Sequence, residues 1–265
     1  MQKRVVLWKE VGETPLMALE RYTRLHGEYA NIPATYAGRL DPMAEGKLLV
    51  LLGSECKKQD HYRGLDKEYV VEVLLDAGSD TGDALGLVQY SGKETRVDPR
   101  VLQQVLATEK RVHTHPYPAF SSKTVDGKPL FMYALEGTLD TITIPEHQEH
   151  IYTLSHQDTA HIDTKTLRER IDTFLAQVPR TDEPSKALGA DFRIDTVRES
   201  WDALIAQAKD RHFSILTLRV VCGSGTYMRT LAGRVGEALG TTALALSIRR
   251  TRIGKQRFGI FFDLF

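Results

Sequence analysis

Residues 213–221 place the strongest constraint on how this chain folds. On an extended backbone Phe213, Ile215, Thr217, Arg219 and Val221 share one face, while Ser214, Leu216, Leu218 and Val220 share the other. Both faces are largely apolar, and a strand covered from both sides belongs at the centre of a sheet. The valine-rich run 69–75 reads as a second central strand, closed by the turn-forming cluster Asp76-Ala77-Gly78. A continuous apolar run at 48–52, ended by Gly53, predicts a third buried strand, and shorter strand-like stretches follow at 139–144 and 151–154.

Helices separate these strands without regular alternation. Thr14-Pro15 and Asp98-Pro99 each set a capping side chain before a proline at the first helical position. Apolar stripes follow at Leu16, Leu19, Tyr22 and Leu25, and at Val101, Leu102, Val105 and Leu106. Further helices are expected at 167–178, 197–208 and 227–239, the first two bracketing a loop with Pro184 and Gly189. This order predicts an α+β fold on a central mixed, largely antiparallel sheet flanked by helices, with 164–210 as a helical insertion in one domain spanning 1–265. The insertion carries Asp182, Glu183, Asp191, Asp195, Glu199 and Asp202, against Lys165, Arg168, Arg170 and Arg180, a balance that favours a peripheral role over direct contact with nucleic acid.

Composition narrows the function class. With 42% hydrophobic residues in 265, the chain can bury a core. Its N-terminal segment interrupts every short apolar run with a charge, which predicts a soluble, intracellular, cytoplasmic protein without a membrane span. Cys56 and Cys222 lie far apart and outside metal-ligand spacing, so they read as small buried side chains. A formal net charge of 0 argues against a protein that only coats phosphate backbones. The segment 249–257 nevertheless holds Arg249, Arg250, Arg252, Lys255 and Arg257 and no acid, which leaves a basic face for RNA.

The stretch richest in chemistry is Tyr36-Ala37-Gly38-Arg39-Leu40-Asp41-Pro42-Met43-Ala44-Glu45-Gly46. Pro42 restricts Asp41 to extended or turn geometry, and the flanking glycines permit tight backbone, so the carboxylate sits on a rigid loop ahead of a buried strand. Local physics alone favours an ordinary Asp-Pro turn.

Residues 38–46 match every position of Gly-x-Leu-Asp-Pro-x-Ala-x-Gly, and in this the chain resembles the TruB family of tRNA pseudouridine synthases. The resemblance continues in order. Lys67-Glu68-Tyr69 is similar to the family's Lys-x-Tyr strand and Thr81-Gly82-Asp83-Ala84-Leu85-Gly86 to its Gly-ended turn. Pro118-Ala119-Phe120-Ser121-Ser122, Gly127-Lys128-Pro129-Leu130, Gly225-Thr226-Tyr227-Met228-Arg229 and the Leu-x-Arg element at 246–250 complete it. Three positions depart: Tyr36 stands where the family carries histidine, Lys9-Glu10-Val11-Gly12 replaces Lys-Pro-x-Gly, and Lys123 precedes by one place a family lysine that is Thr124 here.

The resemblance implies a pseudouridine synthase fold that isomerises uridine 55 in the T-arm loop of tRNA with no metal, nucleotide or redox cofactor. Asp41 would attack or deprotonate the nucleotide, Arg229 would favour its ionised form, and Tyr69 would stack on the target base. Tyr36, Gly38, Lys67, Lys123, Ile248, Arg249 and Arg250 would surround the RNA, with Ile248 as an apolar wall. A monomer without an obligate protein partner, and without the PUA domain that family members often append, is expected.

Rival readings use the same residues. An RNA-binding or tRNA-folding module would keep the fold and lose turnover, and a carboxylate hydrolase would need a second acid beside Asp41, for which Glu45 is the local candidate. Residues 223–228 lack the third glycine of a dinucleotide fingerprint. The pairs His113/His115 and His147/His150 read as solvent-facing strand or turn histidines rather than metal ligands.

Overall fold

The computed structural model describes residues 2–178 and 193–265. Its strands are β1 (Arg4–Lys9), β2 (Ala34–Ala37), β3 (Ala44–Leu52), β4 (Asp66–Leu75), β5 (Ala77–Ser79), β6 (Val88–Tyr90), β7 (Val112–Pro116), β8 (Thr124–Val125), β9 (Lys128–Pro129), β10 (Glu146–Asp163), β11 (His212–Cys222), β12 (Ala243–Arg257) and β13 (Ile260–Asp263). The α-helices are α1 (Pro15–Leu25), α2 (Gln59–Arg63), α3 (Pro99–Glu109), α4 (Leu130–Glu136), α5 (Thr164–Ala176), α6 (Ile194–Gln207) and α7 (Met228–Ala238). The loop with Pro184 and Gly189, and with it Arg180, Asp182, Glu183 and Asp191, lies outside the described residues.

The expected caps are present: Thr14 Oγ1 accepts from Met17 N at 3.2 Å, and Asp98 Oδ1 accepts from Arg100 N at 2.7 Å. A nine-stranded sheet runs β1-β3-β12-β4-β11-β10-β7, with β2 on β3 and β13 on β12. The β3–β12 pair is parallel and the others among the described strands are antiparallel. Strands β4 and β11 are central, as their two apolar faces require. Asp76, at φ 67, closes β4, and its carboxylate accepts from Thr95 N at 2.7 Å, so the expected turn is fixed from within.

One expectation is corrected. Residues 139–144 form no strand: Leu139–Thr141 is a 3-10 turn, in which Thr141 Oγ1 donates to Thr138 O at 2.7 Å, directly after Gly137 ends α4 at φ 68. Local side-chain bonding outcompetes an apolar pattern too short to find a ladder partner. The helical insertion is no detached excursion but packs into the main core. Leu167, Ile171 and Leu175 of α5 and Val197, Trp201 and Leu204 of α6 are buried in the same cluster as Tyr69, Val71 and Ile248. Of the acids named above, the described Asp195, Glu199 and Asp202 are exposed, and Arg168 pairs with Asp172 and Asp202, so the charge of these helices says nothing of the apolar face they bury.

Side-chain parity fixes what faces the site. On β4, Lys67, Tyr69 and Val71 share one face with Arg250 and Ile248 of the adjoining β12. The opposite face carries an ion-pair ladder, with Glu68 against Arg219 and Arg252, and Glu72 against Arg170.

Candidate active site

The signature loop runs from the end of β2 to the start of β3 and is held at each carbonyl it exposes inward. Arg250, with no exposed surface, donates from Nε to Lys47 O at 2.6 Å, from Nη2 to Gly38 O at 3.1 Å and from Nη1 to Arg39 O at 3.3 Å. Lys9, also fully buried, donates from Nζ to Ala44 O at 2.5 Å, Glu10 O at 2.9 Å and Pro42 O at 3.2 Å, and Gly12 N donates to Pro42 O at 2.9 Å. Gly46 is required where β3 meets β12: at φ +116, an added Cβ would lie 2.3 Å from Arg250 O. Two buried cations and a close strand contact thereby turn a flexible Gly/Pro sequence into a rigid shelf.

Asp41 sits on that shelf with its side chain 35% exposed, its Oδ2 2.7 Å from Arg229 Nε. Arg229 lies on the first turn of α7, 4% exposed at its side chain, and each of its other two nitrogens also donates: Nη1 to Thr81 O at 2.6 Å and Nη2 to Phe120 O at 3.0 Å. Asp83 approaches the same Nε at 3.4 Å from the far side. Burial works against the Arg229 charge, and the carboxylates of Asp41 and Asp83 outweigh it, holding the guanidinium above its usual range. Burial pushes Asp83 up, with Arg229 opposing, while Thr81 Oγ1 at 2.8 Å and Leu85 N at 2.9 Å donate to it. Gly82, at φ +78, lets this turn approach; its Cβ would meet Arg229 O at 3.2 Å.

Tyr69 is buried beside Asp41 and Arg250, and burial pushes its hydroxyl up to about 12, so the ring is neutral across the physiological range. Ile248 is 3% exposed on the same sheet face. Asp41, Tyr69, Arg229 and Ile248 are therefore brought together. Gly38 borders the loop, and Tyr36 is half-buried just ahead of it. Lys123 is exposed, its Nζ 5.3 Å above the Tyr117 ring, which stacks on His147, itself edge-on to Tyr227 beside Arg229.

Three basic residues expected at an RNA face are placed differently. Arg250 is buried under the loop. Lys67 is 4% exposed, with Nζ donating to Leu65 O at 2.5 Å and Arg63 O at 2.7 Å. Arg249 is exposed on the sheet face opposite Tyr69, paired with Glu45 at 2.5 Å. A run of basic residues on a strand necessarily alternates faces, which a charge count along the sequence does not register. The same pair engages Glu45, the local candidate for a second acid beside Asp41. Of the histidines expected to face solvent, His113 is buried with Nε2 on Glu109 O at 2.9 Å, and His147 is half-buried in the Tyr117 stack.

Sequence reasoning missed Lys9 and Asp83 as parts of the site. The signals were the lysine of the altered Lys-Glu-Val-Gly element and the aspartate in the 81–86 turn. Burial lowers the Lys9 ammonium to about 8. Its native state thus binds fewer protons than the unfolded chain between about pH 8 and 10.5, and this contribution to stability rises with pH in that window. Chemical denaturation of wild type and Lys9→Met from pH 7 to 10.5 is expected to show wild type gaining on the variant as pH rises, and a constant difference would contradict the assignment.

The fold is that of the pseudouridine synthases. In a solved Cbf5–Nop10–Gar1 complex the matched chain superposes with a TM-score of 0.56 at 17% identity, covering 95% of this chain and 49% of that one. A chain of an H/ACA RNP bound to a substrate RNA gives 0.51 at 16% identity, covering 95% and 47%. The sequence model for the N-terminal domain of TruB family pseudouridylate synthase matches residues 29–172, more than half of the chain, which therefore belongs to that family. A tRNA pseudouridine synthase B of Listeria welshimeri is 28% identical over 251 residues, covering 94% of this chain and 66% of that protein. One of Syntrophomonas wolfei is 27% identical over 219 residues, covering 83% and 56%. The chain thus spans less than two thirds of the length of these relatives. No described helix is long and apolar enough to cross a membrane.

Proposed function

We propose that this chain isomerises uridine to pseudouridine in tRNA, at uridine 55 of the T-arm loop, with Asp41 as the catalytic carboxylate. The observation that carries the reading is the Asp41–Arg229 contact at 2.7 Å on a loop that matches the family signature throughout. In this isomerisation the bond from the base nitrogen to the ribose breaks, the base turns, and its C5 carbon joins the ribose in its place. The C5 proton leaves to solvent and the freed nitrogen takes one up, so one ionised carboxylate suffices to attack or to deprotonate. Arg229 holds the Asp41 carboxylate in place through the 2.7 Å contact, and Tyr69 and Ile248 form the walls that receive an extruded base. The neutral Tyr69 hydroxyl can donate or accept a hydrogen bond without becoming charged.

The test is release of tritium from the C5 position of labelled uridine in unmodified tRNA. Release, with pseudouridine mapped to position 55, is expected; binding without release would instead make the chain an RNA-folding module. Arg229→Lys keeps the charge but cannot reach Asp41, Thr81 O and Phe120 O together, and a loss of single-turnover rate on the order of 10²-fold is expected from the misplaced carboxylate. A rate within twofold of wild type would remove Arg229 from the mechanism. We further propose that the chain acts in the cytoplasm as a monomeric catalytic domain with no obligate protein partner, which sedimentation at working concentration tests.

A further inference from the structure

On the outer side of the signature loop lies a cleft of about 350 Å³, lined by Leu16, Leu19, Tyr36, Arg39, Gln59 and Arg63. Its volume falls within the roughly 300–1,000 Å³ of small-ligand sites. The loop that presents Asp41 on one side forms the wall of this cleft on the other, through Gly38 and Arg39. Arg250 ties the Gly38 and Arg39 carbonyls inward, which leaves the Arg39 side chain pointing to solvent with no ion pair or hydrogen bond to any described residue. Among the described residues the Arg63 guanidinium pairs with Asp60, at 3.3 Å, an exposed i,i+3 pair of the kind that contributes little and yields to a phosphate. Gln59 donates from Nε2 to Thr35 Oγ1 and Tyr36 O, both at 2.8 Å, which orients its amide oxygen as a free acceptor. The half-buried Tyr36 ring lines the cleft beside the largely buried Leu19, and most of the lining surface is polar.

Two guanidinium groups, the half-buried Tyr36 ring and a fixed amide form a set that suits a nucleotide: phosphate on the arginines, base against Tyr36, a base amino group on Gln59. We propose that this cleft binds the unpaired nucleotide adjoining the one isomerised, so that two successive nucleotides of the RNA straddle the signature loop. The inference rests on the RNA-substrate reading above and adds a second binding site, in which Arg39 occupies the variable position of the signature.

The experiment uses a T-arm RNA hairpin, wild type and the Arg39→Ala/Arg63→Ala double variant, with Kd measured over a salt series and the single-turnover rate measured at saturating protein. The double variant is expected to melt as wild type does, to bind on the order of tenfold more weakly, and to lose about 0.7 of salt slope per phosphate contact. Its rate once bound should stay within about threefold of wild type. A hairpin with an abasic site beside the target should weaken binding by wild type and by the double variant alike, because Tyr36 and Gln59 are retained in both. Unaltered Kd and salt slope in a normally melting variant, an abasic hairpin bound by wild type as tightly as the intact one, or a rate loss at unchanged Kd would each overturn the cleft as a nucleotide site. Hairpin binding by wild type without tritium release would overturn the isomerase reading instead, with the cleft still judged on Kd, and no RNA binding at all would overturn both.

Discussion

Asp41→Asn is expected to abolish turnover, by a factor on the order of 10⁴ or more, while RNA affinity stays within severalfold of wild type. Asparagine has the shape of aspartate but neither its charge nor its nucleophilic oxygen. The shelf does not depend on the carboxylate: Lys9, Arg250 and Gly12 hold the loop through backbone carbonyls, and the side chain of Asp41 takes no part in those bonds. Arg229 loses one partner but keeps Thr81 O, Phe120 O and the Asp83 carboxylate, so its charge remains compensated within the fold. Substitution therefore separates chemistry from binding at this position. Tritium release under multiple-turnover conditions and filter binding on the same preparation make the comparison, and measurable multiple turnover by Asp41→Asn would refute the assignment.

What could be read from the chain divides along physical lines. Central strands were legible because apolar residues on both faces of 69–75 and 213–221 leave only one environment for them, and capped helices were legible because Thr14-Pro15 and Asp98-Pro99 encode their own starts. Asp41, Arg229 and Tyr69 were legible through their motifs; their distances were not, since 188 residues separate Asp41 from Arg229. The environments of Arg250 and Lys67 were hidden because a buried cation satisfied by carbonyls looks, in sequence, like a surface cation that binds phosphate. Burial of His113 was hidden for the same reason, its partner being the backbone oxygen of Glu109. The packing of the insertion was not legible from its charge, which bears on exposed side chains, whereas Leu167, Ile171, Val197 and Trp201 are buried in the main core.

That inner face makes Trp201 the second large effect. Its side chain is 1% exposed, and its Nε1 donates to Ala84 O at 3.1 Å. One residue earlier, Ser200 Oγ accepts from Val88 N at 3.0 Å. At the head of α6, Arg193 pairs with Asp80 at 2.8 Å, and its guanidinium lies 4.9 Å from the Phe120 ring. The 80–88 segment is thus fastened from behind by α6, and its front supplies Thr81 O and Asp83 to Arg229. Trp201→Ala is expected to cost about 3–5 kcal/mol of stability through the cavity it leaves. Removing residues 164–210 altogether should prevent folding, because it strips α5 and α6 from the main core. Trp201→Phe retains most of the ring volume and leaves the buried Ala84 carbonyl without its donor, at about 1–3 kcal/mol. Because the loosened segment positions Arg229, this milder variant should also show a lower single-turnover rate at saturating RNA with unchanged Kd. Denaturant unfolding and single-turnover kinetics on the same samples decide the matter: a cooperatively folding deletion protein would return the insertion to the periphery, and a Trp201→Phe protein of reduced stability but normal rate would confine Trp201 to the core.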